Sequence, residues 1–196
     1  MTAPRLIGLA GRAGTGKSTV ARLLCEQHAF VEIALADPIK RALAAMLDLP
    51  RATFDQPATK DAPIDWLRNT SPRRLMQTLG TGWGRQIIAD DLWLILARRR
   101  IAQLTAQADR LHVTGIVISD LRYDDEADLV RQLGGTVWHI VRAAPPVAAH
   151  CSEAGITPQP GDRTLDNTGD LDQLEACIEH LLYAPFALHG DAHEPA

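Results

Sequence analysis

The chain has 196 residues, 46% of them hydrophobic and 22% charged, which is the composition of a globular protein with one core and excludes a disordered or fibrous chain. A formal charge of -4 gives no general attraction for nucleic acid or an anionic membrane, so an anionic ligand has to be held by a specific site. There is no apolar run of the ~20 residues a membrane helix needs, no signal peptide in Met1-Thr2-Ala3-Pro4-Arg5, and no CxxC spacing among Cys25, Cys151 and Cys177, so a cytoplasmic protein with reduced thiols and no structural zinc is expected.

Arg5-Leu6-Ile7-Gly8-Leu9-Ala10 is an apolar run too short for a helix, and it stops at Gly11-Arg12-Ala13-Gly14-Thr15-Gly16-Lys17-Ser18, a full GxxxxGK[ST] match. Glycines let such a loop wrap a phosphate with its N–H groups inward, and Thr19 to Gln27 carries the helical spacing that brings a positive helix end to the same anion. A nucleoside triphosphate is therefore expected against Gly11, Ala13, Gly14, Thr15, Gly16 and Thr19. Lys17 is predicted to reach the β and γ phosphates, and the Ser18 hydroxyl to face Mg²⁺, a hard cation that takes oxygen ligands.

Phe30 to Ala36 reads as a second strand, after which Asp37-Pro38 opens a helix to about Leu47, with Asp37 as cap and Pro38 as first helical residue. Ligands of parallel sheets bind at the carboxyl ends of strands, so Asp37 and Lys40 are equally candidates for contact with an acceptor. Asp48 to Thr70 is rich in Pro, Asp and Thr without periodicity and is predicted as a long functional loop. Ser71-Pro72 starts another helix bearing Arg73, Arg74 and Gln77, and Leu79-Gly80-Thr81-Gly82-Trp83-Gly84-Arg85 is predicted to interrupt it. A guanidinium gives a phosphate two parallel charge-assisted bonds. Arg73 and Arg85, with Gln77 and Trp83 beside them, are accordingly the candidate acceptor-binding residues, whereas Arg74 suits a solvated face.

Leu111 to Ser119 is a β-rich run ending at Asp120-Leu121-Arg122. If that strand lies beside the first, Asp120 can orient Mg²⁺ next to Ser18 and Arg122 can point at phosphate; a plain helix cap is the alternative for Asp120. Thr136 to Val141 is a strand ending in Arg142, and the turn at Asn167 and Gly169 precedes an amphipathic helix over Leu171 to Leu182. His189 and His193 fall in an expected mobile tail, 188–196. Trp66, Trp83, Trp93 and Trp138 suit core or hinge packing better than base stacking, although Trp83 lies in the acceptor region. A guanine-nucleotide switch is disfavoured because Thr59-Lys60-Asp61-Ala62 places the acid one position early and no strand ends in DxxG. The length leaves little room for a motor ATPase.

Further segments bear on the class: Ala36-Asp37-Pro38-Ile39-Lys40, Ser71 to Thr81 with Gly84-Arg85 and Asp91-Leu92-Trp93, Ile118 to Tyr123 with Glu126-Ala127, Gly134-Gly135, His150 to Glu153, and Asp166-Asn167-Thr168-Gly169. Together with Gly11 to Ser18, and in this order, they resemble the deoxynucleoside monophosphate kinases typical of bacteriophages, within the nucleoside monophosphate kinase superfamily. The resemblance implies an α/β fold, a P-loop three-layer α/β/α architecture with a five-stranded parallel sheet, adenylate-kinase-like, in one domain over 1–196. It implies a monophosphate-binding insert over 48–90, a lid-like segment over 143–165, and transfer of the γ-phosphoryl group of ATP to a deoxynucleoside monophosphate. By the same resemblance Asn167 lines the adenine, and the lid brings in arginines, of which Arg142 and Arg163 are the ones at hand. Lys17, Arg122 and Arg142 are then the residues expected to act on the transferring phosphate, with no general base needed, because the acceptor oxygen is already ionised. Two alternatives stay open, a dephospho-coenzyme A or other small-metabolite kinase, although Ala36-Asp37-Pro38 lacks the Asp-x-Asp associated with the former, and a non-catalytic nucleotide-binding module. Neither base preference, oligomeric state nor a role for His150, Ser152 and Glu153 is legible.

Overall fold

The computed structural model describes residues 3–142 and 155–183. Five strands, β1 (Arg5–Ala10), β2 (Phe30–Ile33), β3 (Gly115–Ile118), β4 (Thr136–Val141) and β5 (Arg163–Asp166), form one sheet in the order β2-β3-β1-β4-β5, parallel at every pairing. Parallel neighbours need crossover connections, and the helices are α1 (Lys17–His28), α2 (Asp37–Leu47), α3 (Ala52–Asp55), α4 (Pro57–Lys60), α5 (Pro72–Gln77), α6 (Leu92–Leu111), α7 (Asp124–Gln132) and α8 (Leu171–Tyr183). Alternation along β1 sorts the two faces of the sheet. Leu6 and Ala10 pack with Ala97, Ile101 and Leu104 of α6 and with Leu129 and Val130 of α7. Ile7 and Leu9 pack on the other face with Val20 and Leu24 of α1 and Leu174 and Ile178 of α8. The result is the expected three-layer α/β/α arrangement, with β3 buried at every residue as a central parallel strand should be.

Several boundaries differ from the sequence expectation. The strand predicted from Leu111 starts only at Gly115, because Leu111 ends α6 and His112 turns the chain in the left-handed region at φ 53°. Asp37 is the first residue of α2 rather than its cap, since Ala36 holds the cap position and the Asp37 carboxylate is taken by Arg41 and Arg51. The predicted loop over 48–70 folds instead into α3, α4 and a single 3₁₀ turn, Asp65–Leu67, around the fully buried Phe54. Phe54, Ile39, Leu43 and Trp93 form a separate small core for this insert.

The predicted glycine interruption after α5 does not break the helix. The backbone continues as a π-helical stretch, Thr78–Ile88, ending with Ala89 N–H donating to Gly84 O. A widened helix frees carbonyls from the ordinary ladder, and Gly80 O accepts from the Trp93 indole at 2.8 Å. Gly84 has to be a glycine there, because a Cβ would lie 2.5 Å from the Trp93 ring. Trp93 and Trp138 are thus the core tryptophans, whereas Trp66 and Trp83 are exposed, contrary to a packing role. Of the lid-like segment 143–165, residues 143–154, with His150, Ser152 and Glu153, lie outside the described residues, as does the predicted tail. Its last residues, Arg163 to Leu165, belong to β5 and hence to the sheet.

Candidate active site

The carboxyl ends of the strands deliver the candidate residues to one edge of the sheet: the phosphate loop after β1, Asp37 after β2, Asp120 after β3, Arg142 after β4 and Asn167 after β5. That edge is where open parallel sheets bind ligands. The loop turns through Gly11 at φ 146° and Gly16 at φ 102°, conformations costly for any other residue. Lys17 Nζ donates to Gly11 O at 2.5 Å and Arg12 O at 2.9 Å, so the ammonium is folded over its own loop. Thr15 Oγ1 closes the turn on Arg12 O at 2.9 Å. Ala13, Gly14 and Ser18 are exposed, and Thr19 is half-buried in the first turn of α1.

Asn167, predicted to line the base, has a more specific job. It is buried, and its Nδ2 donates to Thr15 O at 2.7 Å, bracing the loop from β5. A Cβ on Gly16 would lie 2.3 Å from that same nitrogen, so loop and brace are in direct contact. Asp120 likewise carries a structural load: Oδ1 accepts from Leu35 N at 2.7 Å and Oδ2 from Ala36 N at 3.0 Å, buckling the end of β3 to the β2–α2 turn. Each carboxylate oxygen keeps a further lone pair. Ser18 and Asp120 follow neighbouring strands, β1 and β3, and both carry oxygen donors of the sort a hard cation accepts while retaining its waters.

On the insert side, cations converge. Lys60, at the end of α4, has its ammonium held below the usual lysine range by burial and then by Lys40, Arg73 and Arg122 around it, with Asp55 opposing. Thr59-Lys60-Asp61 matches no motif, so nothing in the sequence marks Lys60 out. Arg73 grips Asp61, Nε to Oδ1 at 2.5 Å and Nη2 to Oδ2 at 2.9 Å, which presents a carboxylate to the fork expected to hold phosphate. That pair is largely exposed, and such pairs are weak enough to exchange. Lys40 pairs with Asp55 at 2.9 Å, and Arg51 bridges Asp37 and Asp55. Asp37 and Lys40 also line an open cleft of about 800 Å³ between α2, α3 and α6 that includes no residue of the phosphate loop. Gln77 and Trp83 are exposed on the helix that follows.

The first turn of α7 ties the parts together. Arg85, in the π-helical stretch, places Nη1 2.9 Å from Asp125 Oδ2 and Nη2 3.2 Å from Glu126 Oε1, with its guanidinium carbon 4.8 Å from the centre of the Tyr123 ring. Glu126 Oε2 accepts from Arg122 N at 2.7 Å and Tyr123 N at 3.2 Å. Burial pushes the Glu126 carboxyl up to about 7 against the pull of those amides; Asp120 adds to the rise and Arg85 opposes it. Asp124 receives Thr157 N at 2.8 Å and Thr157 Oγ1 at 3.1 Å, which anchors the segment leading into β5. Arg142 is exposed immediately after β4. Arg163, by contrast, sits at the start of β5 and donates to Leu181 O at 2.7 Å, on the edge of the sheet remote from the phosphate loop, so it is not a lid arginine.

The sequence pattern of the deoxynucleotide monophosphate kinase family matches residues 52–178. A protein of Acanthamoeba polyphaga mimivirus, named provisionally for that activity, is 31% identical over 144 residues, covering 70% of this chain and 74% of the viral one. The deoxynucleotide monophosphate kinase of Enterobacteria phage T4 is 25% identical, covering 91% of this chain and 98% of its own. In fold, the crystal structure of a Thermus thermophilus protein superposes with a TM-score of 0.53 at 19% identity, over 92% of this chain and 97% of the other.

Proposed function

The chain belongs to the deoxynucleotide monophosphate kinase family, and from that premise we propose that it transfers the γ-phosphoryl group of ATP to a deoxynucleoside 5′-monophosphate, giving ADP and the deoxynucleoside diphosphate. The observation that carries this reading is a phosphate loop braced by Asn167 at the carboxyl ends of the strands, with Arg85 of the insert held by Asp125 and Glu126 as a guanidinium for a second phosphate. Family membership favours it over a small-metabolite kinase and over a non-catalytic module.

Phosphoryl transfer needs little covalent help, so alignment and charge neutralisation provide the catalysis. In this reading the amides from Gly11 to Thr19 and the Lys17 ammonium hold the β and γ phosphates of ATP. Lys17 leaves the carbonyls of Gly11 and Arg12 to do so. Ser18 and Asp120 are the oxygens that would hold Mg²⁺, which supplies further neutralisation at the phosphates when bound. Asn167 keeps the loop in shape for the nucleotide. Arg85, Arg73 and Lys60 receive the acceptor phosphate, Gln77 and Trp83 flank it, and Arg122 and Arg142 offset charge on the transferring group. Asp37 and Lys40 serve the acceptor indirectly, through the ion pairs that shape the insert. A coupled ADP-release assay with Mg·ATP against dAMP, dGMP, dCMP, dTMP, their ribose counterparts and dephospho-coenzyme A tests the assignment. Turnover with at least one deoxynucleotide is expected, lost in Lys17→Ala; turnover with dephospho-coenzyme A alone would overturn it.

A further inference from the structure

Glu126 stands apart from the other acids of α7. The residue is 5% exposed, whereas Asp124 is exposed and Asp125 half-buried in the same turn. A glutamate that only caps a helix does so from the surface, in water, without the penalty of burying a charge. This one is buried because it reaches in two directions: one oxygen takes the amides of Arg122 and Tyr123, and the other takes Nη2 of Arg85, a residue 41 positions earlier on a different element. Asp125 holds Nη1 of the same guanidinium, and Tyr123 lies under its face. One N–H of each Nη is engaged in this way, so the other N–H of each nitrogen and the Nε–H remain for a phosphate.

We propose that Glu126 is a positioning residue for the acceptor phosphate: its carboxylate ties the Arg85 guanidinium to the Arg122 backbone and so fixes where the insert grips the monophosphate. The inference rests on the reading of Arg85 as an acceptor ligand. Without the Glu126 contact, Arg85 is left with Asp125 and the face of the Tyr123 ring, and the insert loses the link through Glu126 to the backbone of Arg122. The surrounding charges agree with this role. Arg85 faces Glu126 from the π-helical stretch, Asp120 from the end of β3, and Asp125 from the same helix. Arg85 is the cation among them, so it is the group on which the Glu126 charge acts.

The test is a steady-state comparison at pH 8, where the Glu126 carboxyl is ionised, of wild type, Glu126→Gln, Arg85→Gln and the double variant with Mg·ATP and the best deoxynucleotide substrate. Glu126→Gln keeps an oxygen for the two amides but removes the charge facing Arg85. We expect its acceptor KM to rise about tenfold, the size of a lost charge-assisted bond, with ATP KM unchanged and kcat within about threefold. The double variant should lose no more than Arg85→Gln alone, since Glu126 acts through that arginine. Glu126→Asp, which keeps the charge at shorter reach, should recover part of the acceptor KM and serves as the second variant if Glu126→Gln folds poorly. An unchanged acceptor KM in folded Glu126→Gln, or losses that add in the double variant, would overturn the proposal. Absence of deoxynucleotide turnover in the wild type would instead overturn the functional reading itself.

Discussion

Asn167→Ala probes the hydrogen bond that runs from the turn after the last strand to the phosphate loop. The asparagine amide and the Thr15 carbonyl it serves are both in buried residues, 7% and 5% exposed. Removing the donor strips that carbonyl of its side-chain partner, which costs about 1–3 kcal/mol when the orphaned group is buried. In a chain of this size such a loss lowers Tm by about 2–4 °C per kcal/mol. Function should suffer on one side only: a loosened loop raises the KM for ATP several-fold, while the KM for the acceptor, held by the insert, stays constant. Asn167→Asp should be worse than Asn167→Ala, because it sets a carboxylate oxygen against the Thr15 carbonyl where the N–H stood. Urea unfolding midpoints with unchanged m-values, read beside the two KM values, make the measurement. Stability of Asn167→Ala within about 0.5 kcal/mol of wild type, with an unaltered ATP KM, would refute the idea that the loop depends on this brace.

Other expectations follow from the same geometry. The Glu126 carboxyl, raised from 4.5 to about 7 by burial, binds its proton more tightly folded than unfolded, so its contribution to stability is full below about pH 4.5 and is lost as pH rises through about 7. The rise is equivalent to about 3 kcal/mol, and the difference in unfolding free energy between wild type and Glu126→Gln, followed from pH 5 to 8, should move in that direction; a flat difference would contradict it. Gly84→Ala forces a methyl to within 2.5 Å of the Trp93 ring, which should destabilise the protein by about 1–3 kcal/mol and, by shifting the adjoining Arg85, weaken acceptor binding in calorimetry. Lys60→Ala should raise the acceptor KM about tenfold and leave the ATP KM unaltered; equal effects on both would place Lys60 outside the acceptor site.

Much of the scaffold was readable because its signals are local. The run into Gly11, the cap at Ser71, whose Oγ accepts from Arg74 N at 3.3 Å, and the apolar periodicity of α8 each depend on residues close in sequence. The loop motif and the acid ending β3 follow from the same reasoning, and β3 does lie beside β1 as that reasoning required. What sequence alone could not supply is pairing across the fold. Glu126 belongs to a recognisable stretch but acquires its role only when Arg85 arrives from another element. Lys60 looks like an ordinary surface lysine until the fold half-buries it at the end of α4, which holds its ammonium below the usual lysine range. The three glycines of 80–84 read as a break because a helix normally excludes them, yet Trp93 fills the space that Gly84 leaves and its indole donates to the Gly80 carbonyl. Arg163 failed as a lid residue for a plainer reason: a strand of four residues begins at it, and its side chain turns to the opposite edge.

The central claim is a transfer of phosphate between two nucleotides bound at one sheet edge, and labelled ATP tests it most directly. With γ-³²P-ATP, Mg²⁺ and a single deoxynucleoside monophosphate, the label should leave ATP and appear in the deoxynucleoside diphosphate, in step with ADP formed, and Lys17→Ala should abolish the transfer. Label released as inorganic phosphate regardless of the acceptor, or retained in ATP with every deoxynucleotide offered, would contradict the account.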